Sequence, residues 1–211
     1  SNGGIYLASL DSQTGTLPMP DLSEGGIMGL SYSCAWSPDG AKLLYAALAK
    51  EPSHPVTHSI HIYTPSKDEH ITLPIHWPNS DAESYWNFQW DADGKSIWAI
   101  GNKEDDIYHI FRIEAETGQA TSVIQSASPI AIEDYALSPD QRSLYYSVIT
   151  DDTNVKNSEI RVHELLTGQE RVLYRNPDLW SMDLSPDGQW VAFSLARQSE
   201  NISVCNIIPS I

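Results

Sequence analysis

The sequence predicts an all-β chain of four-stranded antiparallel blades, on three observations. A four-residue turn recurs as Ser37-Pro38-Asp39-Gly40, Asp91-Ala92-Asp93-Gly94, Ser138-Pro139-Asp140-Gln141 and Ser185-Pro186-Asp187-Gly188, at intervals of 54, 47 and 47 residues. A spacing of that size is the length of one blade. The flanks of every copy keep one apolar alternation, and the aromatic content (seven Trp, ten Tyr, only three Phe) favours strands over helices. Together they predict a β-propeller with about four blades in this chain.

The turn sets the register of each blade. Pro presets φ for the first central position, and Asp tolerates the second while bonding to nearby backbone N–H groups. Gly then takes the left-handed conformation that closes a short hairpin. The structural roles of Asp39, Gly40, Asp93, Gly94, Asp140, Asp187 and Gly188 follow from this chemistry, which removes the aspartates from the list of catalytic candidates. Gln141 stands where the other copies have Gly, so that turn is expected to be strained or differently shaped.

The strands on either side come next. Trp36, Trp90, Leu137 and Leu184 precede the turns. Leu43, Ile97, Leu144 and Val191 follow them, and two residues further come Tyr45, Ala99, Tyr146 and Phe193. A period of two with one apolar face marks strands packed on one side. A second repeat completes the blade. The strand Ile107 to Ile113 leads into Thr117-Gly118, and Glu159 to Leu165 leads into Thr167-Gly168. Ile5 to Leu10 leads into Thr14-Gly15 in the same way. In the first full blade Ile60-His61-Ile62-Tyr63 runs instead into Ser66-Lys67-Asp68, with no Gly.

Each blade therefore reads as strand A, Ser-Pro-Asp-Gly turn, strand B, variable loop, strand C, Thr-Gly turn, strand D. Full blades are expected at 32–74, 86–125 and 133–174, with partial blades at 5–20 and 180–208. Joining the two partial blades into one would close a four-bladed ring but would supply strand C twice. The favoured arrangement is an arc of a six- to eight-bladed ring, the other blades lying outside this sequence.

This grammar resembles the TolB-type (WD40-like, or PD40) propeller repeat over nearly the whole chain, without the Gly-His and Trp-Asp marks of eukaryotic WD40 blades. The resemblance implies a bacterial, non-catalytic binding propeller that engages a protein or peptide, or a sensor or regulatory module of a larger protein. It also implies an extracytoplasmic, periplasmic location. Two enzyme connections give the alternative reading, a fragment of a propeller enzyme. Prolyl-oligopeptidase-type peptidases carry gating propellers with similar turns. Lactonase-type propellers have strands similar to Gly4-Ile5-Tyr6-Leu7 followed by a turn like Thr14-Gly15.

Composition narrows the function classes. A net charge of −16 argues against nucleic acid, since nothing neutralises a row of phosphates, and against an anionic membrane surface. No apolar run approaches the roughly 18 residues of a membrane span. Without an initiator Met, and with a strand almost at once, the chain reads as a processed form or an excised piece. Cys34 and Cys205 are too few for a disulfide framework and are expected to be small buried apolar residues. There is no Gly-x-Ser-x-Gly elbow, phosphate loop or His-Glu-x-x-His, so no catalytic residue and no cofactor are assigned.

Binding residues are sought on the B–C and D–A connections, which share one face of a propeller and carry the sequence irregularities here. The loop from Ala49 to Thr57 holds His54 and is followed by His58. The next D–A connection holds His76, Trp77, Asp81, Glu83 and Trp86. Exposed tryptophans in acidic loops suit peptide contacts, and these seven residues are the candidate site. His54, His58 and His76 with nearby carboxylates have the chemistry of a divalent-ion set, but their spacing matches no metal signature and no metal is assigned. Glu104-Asp105-Asp106 and Asp151-Asp152 are expected to form solvated loop tips on the same face. His61, His109 and His163 are expected on strand faces.

Overall fold

The structure, a computed structural model, describes residues 6–7, 17–18, 27–49, 57–77, 84–102, 107–127, 130–152, 155–196 and 203–209, some of the strand residues by backbone alone. A short pair, β1 (Tyr6–Leu7) and β2 (Leu17–Pro18), precedes three four-stranded sheets. The first contains β3 (Ile27–Trp36), β4 (Leu43–Ala49), β5 (Thr57–Thr64) and β6 (Glu69–Leu73) in sequential order. The second contains β7 (Ser84–Trp90), β8 (Ser96–Asn102), β9 (Tyr108–Glu114) and β10 (Ala120–Gln125). The third contains β11 (Ile130–Leu137), β12 (Ser143–Asp152), β13 (Val155–Glu164) and β14 (Glu170–Arg175). A three-stranded sheet of β15 (Leu179–Leu184), β16 (Trp190–Ala196) and β17 (Ser203–Pro209) follows. The fold is all-β, of propeller blades. Among the described residues no helix is long and apolar enough to cross a membrane.

The recurrent turn has one bonding scheme. In the first copy the Ser37 hydroxyl donates to Asp39 Oδ1 (2.6 Å) and accepts from the Lys42 N–H (2.9 Å), while Asp39 Oδ1 also accepts from the Ala41 N–H (3.0 Å). Ser138 with Asp140, and Ser185 with Asp187, repeat the pattern. The serine hydrogen bond, followed by the backbone one, holds each of these three carboxyls below its ordinary pKa. Asp91 takes the serine position in the second copy. It turns its carboxylate inward to the Arg112 guanidinium (3.0 Å) and Trp98 Nε1 (3.4 Å).

Gln141 adopts the same turn as the glycines. Its φ of +58° matches +68° at Gly40 and Gly188 and +65° at Gly94, and its N–H makes the same bond to the Ser138 carbonyl (2.9 Å). The turn is therefore strained but not reshaped, because the surrounding bonds impose the left-handed conformation. Gln141 Oε1 is buried with no hydrogen-bond partner. In the first blade Asp68 fills the left-handed C–D position (φ +50°) that Gly118 and Gly168 fill elsewhere, after a single 3-10 turn at Pro65–Lys67.

Two compact units partition the chain, Ser1–Ala99 with Arg112–Thr121 and Ile100–Phe111 with Ser122–Ile211, and the division falls within the second sheet. In the first unit β7 lies beside β3, and Trp90 Nε1 donates to the Ala35 carbonyl (3.1 Å). Beyond β6 the chain crosses to the second blade. His76 donates its N–H to the Gly118 carbonyl (2.8 Å) and accepts from the Ala120 N–H (3.0 Å). A Cβ on Gly118 would lie 1.8 Å from the Pro74 carbonyl oxygen, so only glycine admits this crossing. In the second unit β11 lies beside β15, and Ala136, Tyr145, Ile160, Val162, Met182 and Phe193 form a buried core. The Gly188 turn packs on the Pro139 ring, where a Cβ would come within 2.8 Å.

Cys34 is exposed, contrary to the expectation that it is buried. Cys34 pairs in regular register with Tyr45, two residues before the exposed Trp36, so the period of two puts both side chains on the same open face of β3. The Cys205 side chain lies outside the described residues.

The first blade carries a polar layer rather than an apolar one on part of its surface. Buried His61 lies between Ser59 Oγ (2.7 Å from Nε2) and Thr72 Oγ1 (3.2 Å from Nδ1), and its ring stacks on Tyr45. His70 Nδ1 meets the Tyr45 hydroxyl (3.1 Å), and its ring stacks on Tyr63. Burial pushes the Tyr45 hydroxyl up to about 12. Burial lowers the pKa of both histidines. The neighbouring His70 adds to this at His61, whereas Asp68 opposes it at His70.

Three predictions follow from these contacts. Gly118→Ala should cost about 3 kcal/mol in chemical denaturation, because backbone must move. Gly168→Ala, at φ +70° with open space around it, should cost only about 1 kcal/mol. Gln141→Gly should raise stability by about 1 kcal/mol, as the left-handed strain is released. The histidines supply the third. The fold holds them neutral, so the unfolded chain takes up protons first on acidification. Their contribution is full above the ordinary histidine value of 6.5 and is lost as pH falls through it. The urea midpoint should therefore fall between about pH 7.5 and about pH 5.5, and fall less in His61→Gln.

Candidate functional site

The predicted binding residues do not form one described cluster. His54, Asp81 and Glu83 lie outside the described residues, and His58 begins β5 with only its backbone described. His76 is exposed, but its backbone is tied to Gly118 and Ala120 at the C–D turn of the second blade. That turn follows β9, whereas the B–C connection of the same blade precedes β9, so His76 lies at the other end of that strand. Trp77 is half-buried and stacks on Tyr85 (4.5 Å between centroids, 9° between planes). Trp86 is half-buried within β7 and also makes contacts of its own. The face of Trp77 thus serves the packing of the first unit. Among the described residues no group of three His, Cys, Asp or Glu side chains could hold a metal ion.

A feature not anticipated from the sequence is an irregularity in each first strand. The register shifts at 31–33 in β3, at Glu133 in β11 and at 180–181 in β15, and Asn87 takes φ +54° in β7. These positions fall four to six residues before each copy of the recurrent turn, so the irregularity is a repeated element of the blade. Bulges aim side chains out of the ladder. Asp134, next to one of them, accepts the Met182 N–H (3.1 Å) from the following blade. Burial, with Asp134 beside it, raises the Glu133 carboxyl above its ordinary value.

Among the described residues a groove of about 850 Å3 lies between the two blades of the first unit. On one side Ile62, Thr64, Lys67, Glu69, Ile71, Leu73 and Pro74 line it from β5, β6 and their surroundings. On the other, the Asp93-Gly94-Lys95-Ser96 turn, Arg112, the Glu114-Ala115-Glu116 turn, Gln119 and Thr121 face them, and Lys42 adds a cation. Ile71 is 46% exposed in the middle of a strand, an apolar surface open to the groove.

Most of the charged groups here already hold structure together. Arg112 is paired with Asp91, and Lys67 lies 4.0 Å from Glu69. Asp93 accepts the Lys95 N–H (2.8 Å), and Glu114 accepts the Thr117 hydroxyl (2.8 Å). One sign of this site was present in the sequence. Ile71 stands where the second blade has Thr121 and the third has Arg171, an apolar residue in an outer strand at a position that is polar or charged in the other two blades.

No protein-family model and no curated protein matches the chain. Solved structures do resemble it. TolB from Acinetobacter baumannii matches with a TM-score of 0.66 at 19% identity, covering 98% of this chain and 46% of that one. Oligogalacturonate lyase from Vibrio parahaemolyticus matches with a TM-score of 0.62 at 12% identity, covering 82% and 47%. Acylaminoacyl peptidase from Pyrococcus horikoshii matches with a TM-score of 0.59 at 14% identity, covering 81% and 28%. The chain thus spans about half the length, or less, of the structures it resembles. The blade repeat, the sequential strand order within each sheet and these likenesses together establish that the chain has the TolB-like β-propeller fold.

Proposed function

We propose that this chain is a non-catalytic binding module that receives an extended protein segment in the groove between its first two blades. The observation that carries this reading is the meeting of exposed Ile71 with Leu73 and Pro74 under a rim of both charge signs. A groove of about 850 Å3 is within the usual range of ligand pockets, and an apolar floor with a charged rim is the common anatomy of a recognition surface. The committed bonds of Asp93, Glu114 and Arg112 suit a rigid rim better than proton transfer, which needs groups able to exchange partners. The loop face with Trp77 and Trp86 is less favoured, because the Trp77 ring is stacked on Tyr85 and Trp86 is half-buried within β7. The net charge of −16 speaks against a nucleic acid as the partner.

A second reading, the propeller portion of an enzyme, draws on the occurrence of the same fold in a lyase and a peptidase. Turnover of lactones, oligogalacturonates or acylated peptides by the purified chain would favour it over the first.

Selection of displayed peptides on the full chain tests the groove. Peptides so obtained are expected to lose at least about tenfold in affinity on Ile71→Glu, which places a charge on the apolar floor, with unfolding behaviour unchanged. Selected peptides that bind the variant as tightly as the parent would remove the groove from consideration.

A further inference from the structure

We infer that the segment the groove accepts is acidic, with carboxylates flanking an apolar residue. This rests on the reading of the groove as a binding site and adds the chemistry of its occupant. The groove collects Lys42, Lys67, Lys95 and Arg112, four of the twelve lysines and arginines of a chain that also carries twenty-eight aspartates and glutamates. A negative segment is repelled by a surface of that composition in general, and a local collection of cations is where the repulsion is relieved.

The cations are not equivalent. Arg112 and Lys67 have carboxylate partners within the blade. Lys42 and Lys95 are exposed, and among the described residues neither ammonium has a carboxylate within salt-bridge distance. Lys42 does act on Asp39 at longer range, lowering its pKa slightly, after the larger effects of the Ser37 and Ala41 hydrogen bonds. Both lysines follow the recurrent turn, four or five residues after its first position, so the stacking of two blades brings together cations far apart in sequence.

The carboxylates of the groove are Glu69, Asp93, Glu114 and Glu116. The first three are engaged by Lys67, the Lys95 N–H and the Thr117 hydroxyl, respectively. Glu116, on the C–D turn of the second blade, faces the groove as the opposing charge. An extended segment with acidic side chains beside Lys42 and Lys95 and an apolar side chain over Ile71 satisfies the lysines and covers the apolar floor. A basic segment would leave both ammonium groups facing like charge.

Calorimetric titration of the full chain tests this, with three capped pentapeptides in which isoleucine alternates with aspartate, lysine or serine. The aspartate peptide should bind at least about tenfold more tightly than the lysine peptide. Its affinity should fall with added salt. Lys42→Glu combined with Lys95→Glu should reverse the order of the two charged peptides, and Lys42→Gln with Lys95→Gln should abolish the difference. Tighter binding of the lysine peptide to the parent chain, or an unchanged order in both double variants, overturns the charge assignment and leaves the groove as a binding site. If none of the peptides protects the amides around Ile71 and Lys95 from hydrogen exchange, the groove reading falls with it.

Discussion

Three of the four blade turns are closed by a ring of hydrogen bonds between strands A and B, and the register of those blades depends on it. The Ser hydroxyl and the Asp carboxylate satisfy each other and two nearby backbone donors between them. The next residue is thereby held in the left-handed conformation. Because that ring is local, it forms whatever the distant chain does, and it defines which residues of strands A and B stand opposite one another. Its strength is visible at Gln141, where a side chain is carried into a conformation suited to glycine rather than allowed to open the turn.

The same turns also join the blades. Gly94 approaches the Pro38 ring in the first unit, and Gly188 packs against Pro139 in the second. The missing side chain that permits the backbone conformation therefore also permits the close approach of the neighbour. Gly118 shows the principle at its limit, since the Pro74 carbonyl occupies the space a Cβ would need. Once Pro74 to Trp77 is clamped to the second blade, the chain leaving β6 is committed to one path. The groove lies beside that crossing, with Ile71, Leu73 and Pro74 on the strand just before it.

Variation between blades is where specific properties reside. The second blade replaces the turn serine with Asp91 and thereby acquires a buried carboxylate that draws in Arg112 and Trp98. The first blade fills with Tyr45, His61, Tyr63 and His70 a layer that the third builds from Tyr146, Arg161, Glu159 and Glu170. The burial of Tyr146 and its bond to Glu170 hold its hydroxyl protonated well beyond the ordinary range. One backbone frame thus tolerates histidine pairs and ion pairs alike.

The blade was legible in the sequence because its determinants are short-range. Pro, Asp and Gly act within four residues, and apolar alternation declares a strand face without reference to the rest of the chain. Asp68 shows the edge of that legibility, for aspartate tolerates the left-handed conformation but does not by itself mark the glycine position of the C–D turn. The bulges of the first strands were not legible, since Asn87, Glu133 and the residues at 31–33 and 180–181 share no residue type. Nor was the exposure of Cys34, which depends on which face of β3 the rest of the unit leaves open. By itself, then, the sequence determined the blade repeat, the turns and the pairing of adjacent strands, all consequences of local backbone chemistry. Only the tertiary structure decided that Trp77 would stack on Tyr85, that His76 would be tied to a neighbouring C–D turn, and that Lys42, Lys95 and Ile71 would share a groove. Those outcomes require residues from different blades to meet, and that meeting is set by how the blades pack, which no local pattern encodes.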